Sequence, residues 1–150
     1  LSQEYLAKEL GENWQDEYDV WDCCAGTGNL LAGLANKYRI FASTLDKSDV
    51  DVMHTFIDKG NNLLHSHIFQ FDFLNDGYSV VNGNMVSSLA ECNKIPETLR
   101  SILSSEEERK KLIILINAPY KEAGSAKQSA GTGKNVPKVA TSVWDQARWL

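Results

Sequence analysis

The 150-residue chain is 43% hydrophobic and 23% charged, proportions of one globular domain long enough to bury a core. No apolar run approaches the roughly 20 residues of a membrane-spanning helix and no signal-peptide pattern opens the chain, so a cytoplasmic location without membrane contact is expected. The net charge of −5 does not mark the chain as a basic nucleic-acid binder.

The first residue is Leu1 rather than Met, which suggests a piece of a longer protein. Residues Ser2 to Leu10 read as a helix, with Ser2 as its cap, Leu6 and Leu10 on one face and Gly11 as its stop. Trp14 and Trp21 are read as packing residues. Tyr18-Asp19-Val20-Trp21 has the character of a short buried strand ending at Asp22. From Asp22 to Leu31 (Asp-Cys-Cys-Ala-Gly-Thr-Gly-Asn-Leu-Leu) the chain turns toward a helix expected from about Asn29 to Lys37. A glycine-bearing turn of this kind lets the backbone approach a ligand, and a helix N-terminus offers unpaired N–H groups. The same composition also describes an ordinary tight turn.

Arg39 to Thr44 reads as a second strand, followed by Leu45-Asp46 and a helix from Ser48 to near Gly60 with Val52, Phe56 and Ile57 on one side. A third strand is expected at His65 to Phe69, with His65 and His67 alternating onto one side in structural roles, and then the turn-like Gln70-Phe71-Asp72-Phe73-Leu74. The stretch from Asn75 to Lys94 reads as a small insertion or short hairpin. Pro96 opens a helix through Leu99, Ile102 and Leu103. Glu106 to Lys111 reads as a solvated helix face or helix end. Leu112 to Ile116 is the most apolar strand, of the kind a two-sided parallel sheet buries. It stops at Asn117-Ala118-Pro119-Tyr120. Gly124, Gly131, Gly133 and Pro137 then mark a loop, and four lysines lie between Lys121 and Ala140 against one acid, Glu122. Val139 to Leu150 reads as a final helix anchored by Trp144 and Trp149. Cys23, Cys24 and Cys92 give neither metal-ligand spacing nor an even disulfide framework. They read as small, mostly buried residues in a reducing compartment, and no metal is expected.

Strands alternating with helices through short connections predict an α/β fold, a mostly parallel sheet flanked by helices. Ligands in such sheets sit beyond the C-terminal ends of the strands. Asp22, Asp46, Asp72 and Asn117 all fall there. In that order they suit a nucleoside-like ligand: a tail at the glycine turn, a ribose diol on one acid and an exocyclic amine on another. Each acid taken singly also suits a helix cap.

Asp22 to Leu31 resembles motif I of S-adenosylmethionine-dependent methyltransferases, whose N6-adenine branch carries Asp-Pro-x-x-Gly-x-Gly. Asn117 to Tyr120 resembles the Asn-Pro-Pro-Tyr motif of amino-methyltransferases. The order of the two motifs resembles gamma-type DNA adenine methyltransferases of restriction–modification systems, over roughly residues 18–120. The resemblance implies a Rossmann-like methyltransferase fold over residues 1–150, truncated before its later strands and target-recognition region. It implies S-adenosylmethionine as cofactor and an adenine flipped out of double-stranded DNA, held by the parent protein, as substrate. Asp22, Ala25, Gly26 and Gly28 would surround the methionine part of the cofactor. Asp46 would hold the ribose, with Thr44 as the other candidate for that position. Asp72 would bond the adenine N6, with Phe73 against the ring. Asn117 and the Ala118 carbonyl would accept hydrogen bonds from the target amine, within a catalytic segment that continues through Pro119 to Tyr120, which would stack on the base.

The chain departs from the pattern at Cys23, where proline is common, and at Ala118, which replaces the first proline of the tetrapeptide and leaves φ unlocked. It ends 30 residues after Tyr120. Three other readings stay open at this level: an RNA base or protein glutamine as substrate, a cofactor-binding but non-catalytic fragment, and a dinucleotide-binding domain. The last lacks the third glycine of its fingerprint, Leu31 standing there.

Overall fold

A parallel strand buried on both faces sends alternate side chains into two separate cores. The computed structural model, which describes residues 3–117, is built on that alternation. Its strands are β1 (Asp19–Asp22), β2 (Ile40–Thr44), β3 (Ile68–Gln70), β4 (Tyr78–Val81), β5 (Asn84–Ser87) and β6 (Leu112–Leu115). Its helices are α1 (Gln3–Leu10), α2 (Trp14–Glu17), α3 (Lys47–Asp58), α4 (Glu97–Ser104) and α5 (Glu106–Arg109). The architecture is α/β: a four-stranded parallel sheet, in the order β3-β2-β1-β6, flanked by helices. The chain leaves β1 outward through β2 and β3, then returns to the other side of β1 as β6.

On one face Val20, Ile40, Ala42, Ile68 and Leu115 pack with Trp14 of α2 and with Val50 and Met53 of α3. Leu6, Ala7 and Leu10 of α1 close over that layer. On the other face Trp21 and Phe41 pack with Phe71, Ile95, and Leu99 and Leu103 of α4. Trp14 and Trp21 are thus core residues, 2% and 0% exposed. β4 and β5 form a separate antiparallel hairpin whose tip, Asn82-Gly83, takes positive φ at both residues as a type I′ turn requires. Among the described residues no helix is long and apolar enough to cross a membrane.

Several expectations shift. In place of a helix from Asn29 to Lys37 there is one 3₁₀ turn at Asn29–Leu31 and another at Lys37–Arg39. Ala32 is extended (ψ 130°) and Gly33 takes φ +85°, so the helix cannot propagate. On α3 the buried residues are Val50 and Met53, while Val52 and Phe56 lie exposed. His65 to His67 is a 3₁₀ turn and the third strand starts at Ile68, so the two histidines do not alternate along a strand. His65 instead reaches Asp58 on the surface, and His67 is buried. β6 joins the sheet but ends at Leu115 rather than Ile116 and is not buried throughout: Ile114 is exposed, as is Ile116 just beyond the strand. α2 lies where no element was expected. The Ser2 cap, the segment from Lys121 to Ala140 and the helix with Trp144 and Trp149 fall outside the described residues.

The His67 ring stacks on Phe41 at 4.1 Å between centroids, and its Nδ1 donates to the Ile40 carbonyl at 2.9 Å. Burial pushes its pKa down, against smaller opposing effects of that hydrogen bond and of Asp19. Below the unfolded histidine value of about 6.5 the unfolded chain takes up a proton that the folded one resists, so stability falls with pH there. Thermal unfolding should show a loss as the pH falls below about 6.5 that is smaller in His67→Gln; equal slopes would contradict the assignment. Leu99, fully buried, should cost about 2–5 kcal/mol as Leu99→Ala in urea unfolding.

Candidate functional site

All four strands of the parallel sheet end at one cavity of about 500 Å³, a volume in the range of small-molecule sites. The turn after β1 supplies Cys23, Cys24, Ala25, Gly26 and Thr27, and then Asn29 and Leu30. The end of β2 and the first turn of α3 supply Thr44, Leu45, Asp46 and Asp49. The loop after β3 supplies Phe71 to Leu74, and β6 leads to Asn117. Of the residues singled out by sequence, Ala25, Gly26, Asp46, Asp72, Phe73 and Asn117 meet here. Ala118, Pro119 and Tyr120 lie outside the described residues.

The glycine turn is hung from β2. Ala25 N–H donates to the Ser43 carbonyl at 2.9 Å, and the Ser43 hydroxyl donates to the Cys23 carbonyl at 3.2 Å while accepting the Trp21 indole N–H at 3.0 Å. Gly26, at φ +56°, opens into free space at the cavity wall. Gly28 does not line the cavity. A Cβ there would lie 3.3 Å from the Met53 sulfur, and its φ of +88° favours glycine. It packs against Met53 of α3. The 3₁₀ turn that follows is too short to supply the helix N-terminus expected from sequence.

Asp22 also stands behind the wall rather than on it. It is fully buried, accepts from Cys24 N–H at 3.3 Å through one oxygen, and leaves the other, Oδ2, without a protein partner. Burial pushes its carboxyl above the ordinary value. Beside it Cys23 donates its thiol to the Leu115 carbonyl at 3.3 Å. The hydrogen bond with Cys24 and burial hold Cys23 protonated far above the usual thiol range.

Asp72 has a structural task. One carboxylate oxygen accepts the N–H groups of Leu74 and Asn75 at 3.1 and 3.2 Å, and the other accepts the Asn75 amide at 2.7 Å. An ionised carboxylate has about four acceptor sites, so these bonds leave one on Oδ2. Phe73 meets Trp21 edge-on at 5.8 Å, which fixes its ring at the cavity side. Asp46 occupies the N-cap of α3 by position, but its side chain makes no capping hydrogen bond. Asp49, not singled out by sequence, accepts from the Thr44 hydroxyl at 3.4 Å. The cavity wall therefore carries three carboxylates, Asp46, Asp49 and Asp72, and no lysine, arginine or histidine among the described residues.

No protein-family model matches the chain, and neither a curated protein nor a solved structure matches it.

The different placements of the two glycines have a measurable consequence. Left-handed strain costs about 1–2 kcal/mol for an L-residue, so Gly26→Ala should lose about that much in urea unfolding. Gly28→Ala should lose more, because its methyl also meets Met53. Equal losses would contradict the packing role of Gly28.

Proposed function

We propose that this chain is the S-adenosylmethionine-binding part of an N6-adenine DNA methyltransferase, with a Rossmann-like methyltransferase fold. The observation that carries the reading is the charge of a cavity at the strand ends: three carboxylates and no basic side chain among the described residues. S-adenosylmethionine brings a sulfonium and an ammonium against one carboxylate, so acidic walls attract it. A dinucleotide brings a pyrophosphate, which the same walls repel. Gly26 leaves the space in which the methionine tail would lie, and Phe73 supplies a fixed apolar face for an adenine ring. Asp72 keeps one acceptor site for an exocyclic amine.

Asn117 is the residue we assign to the chemistry, since it reaches the cavity from β6. An adenine amine is a poor nucleophile because its lone pair is delocalised into the ring. The Asn117 side-chain oxygen and the Ala118 carbonyl would accept its two N–H groups and favour the pyramidal nitrogen of the transition state. The sulfonium carries the methyl already activated, so alignment for in-line attack is the remaining requirement. Tyr120 would stack on the extruded base and offset part of the unstacking cost. Action on DNA within a restriction–modification system implies a cytoplasmic parent protein that holds the duplex.

Titration calorimetry should show S-adenosylhomocysteine binding that Gly26→Trp weakens at least about tenfold by filling the cavity, and no binding of NAD. Unchanged binding in Gly26→Trp would overturn the cofactor assignment. With labelled S-adenosylmethionine and unmethylated DNA, the parent protein should label adenine. Asn117→Ala should abolish transfer while holding cofactor affinity within about twofold. Label found only in RNA or protein would overturn the DNA assignment, and persistent transfer would remove Asn117 from catalysis.

A further inference from the structure

We infer that a vicinal diol of the bound ligand is held by Asp49 together with Thr44, and not by the strand-end acid Asp46. The inference rests on the proposal that the cavity takes an adenosine-containing cofactor, and it names which side chains select the ribose.

Thr44 is the last residue of β2 and 5% exposed, so its hydroxyl is fixed at the cavity floor by the sheet. Asp49 lies in the first turn of α3 and is half-buried at the same wall. An acid at this helix position commonly turns back to bond the N-cap backbone N–H. Asp49 instead accepts the Thr44 hydroxyl at 3.4 Å, and no lysine or arginine pairs with it among the described residues. Its carboxylate therefore retains most of its acceptor sites. Donating to Asp49 leaves the Thr44 oxygen with lone pairs of its own. The result is two acceptor oxygens 3.4 Å apart on one cavity wall, a spacing that two hydroxyls on neighbouring ring carbons can bridge, each donating to one of them.

Asp46 offers none of this. It is exposed, and its side chain makes no capping bond. Ordering a free side chain on binding costs entropy that an anchored acceptor has already lost on folding. Thr44 takes up the strand end itself, and Asp49, five residues on, supplies the carboxylate behind it.

The test compares S-adenosylhomocysteine with its 2′-deoxy analogue by titration calorimetry on the full chain. The wild type should prefer the hydroxylated ligand by about 10- to 100-fold, the worth of a hydrogen bond to a charged acceptor. Asp49→Ala should lose most of that preference, and Asp46→Ala should keep it. Thr44→Val should reduce the preference and Thr44→Ser should restore it, with thermal unfolding showing that each variant is folded. Preference retained in Asp49→Ala, or lost in Asp46→Ala, would overturn the inference while leaving the cofactor assignment standing. Failure of the wild type to bind either ligand would overturn both.

Discussion

The indole N–H of Trp21 is the constraint from which the site follows. A fully buried tryptophan must find an acceptor, and in the interior of a parallel sheet the backbone carbonyls are engaged in ladders. Ser43, on the neighbouring strand and also fully buried, accepts that N–H and donates its own hydroxyl to the Cys23 carbonyl. Cys23 is the first residue beyond β1. The relay therefore ties the strand end of β1 to β2 where the chain must leave the sheet, and the Ser43 carbonyl takes the next free N–H, that of Ala25. The turn through Gly26 is thus suspended from the core, and an open cavity persists above it without the helix that sequence led us to expect.

Four aspartates near this turn illustrate how placement assigns work to one side-chain type. Asp22 is sealed beneath the turn with an unpartnered oxygen. Asp72 uses its acceptors to shape the loop after β3. Asp46 holds an N-cap position without capping. Asp49 is held by one hydroxyl and otherwise available. Residues Asp46, Asp49 and Asp72 line a common space, and no lysine or arginine of the described wall offsets their mutual repulsion.

Strands β1 and β2 were legible in sequence because they are short apolar runs at the centre of the sheet, where burial on both faces leaves little ambiguity. Strand ends then located most of the cavity residues, since a parallel sheet collects all its C-terminal ends on one edge. What sequence concealed has particular causes. Leu30, Leu31, Leu34 and Ala35 carry helical spacing, yet the extended Ala32 and positive-φ Gly33 break the backbone between them. Val52 and Phe56 are a helical turn apart and read as a buried stripe, whereas the face that packs on the sheet is Val50 and Met53. Ser43 and Asp49 act through tertiary partners, Trp21 and Thr44. For Asp49 a weak signal existed, an acid five residues beyond a hydroxyl at a strand end. For Ser43 there was none, because nothing in a β-strand serine announces a buried indole 22 residues earlier.

The strand order also separates the two halves of the site. Below the cavity the chain leaves β1 toward β2 and β3, whose side chains fill both cores, and the walls that would hold a cofactor inherit that rigidity. Asn117 arrives from the opposite side of β1, two residues beyond the end of β6, in a segment where Ile114 and Ile116 are exposed. The crevice between diverging connections is where a doubly wound sheet binds its ligands. Here the walls supplied by β1, β2 and β3 and the residue Asn117 reach the cavity from opposite sides of β1, joined through the β1–β6 ladder from Asp19 opposite Leu112 to Asp22 opposite Leu115 and through Leu115 in the shared core. Because the Trp21–Ser43–Cys23 hydrogen bonds that hold the turn reach β6 through the Cys23 contacts with Leu115, a defect in the segment of Asn117 would leave most of the anchorage of the turn in place.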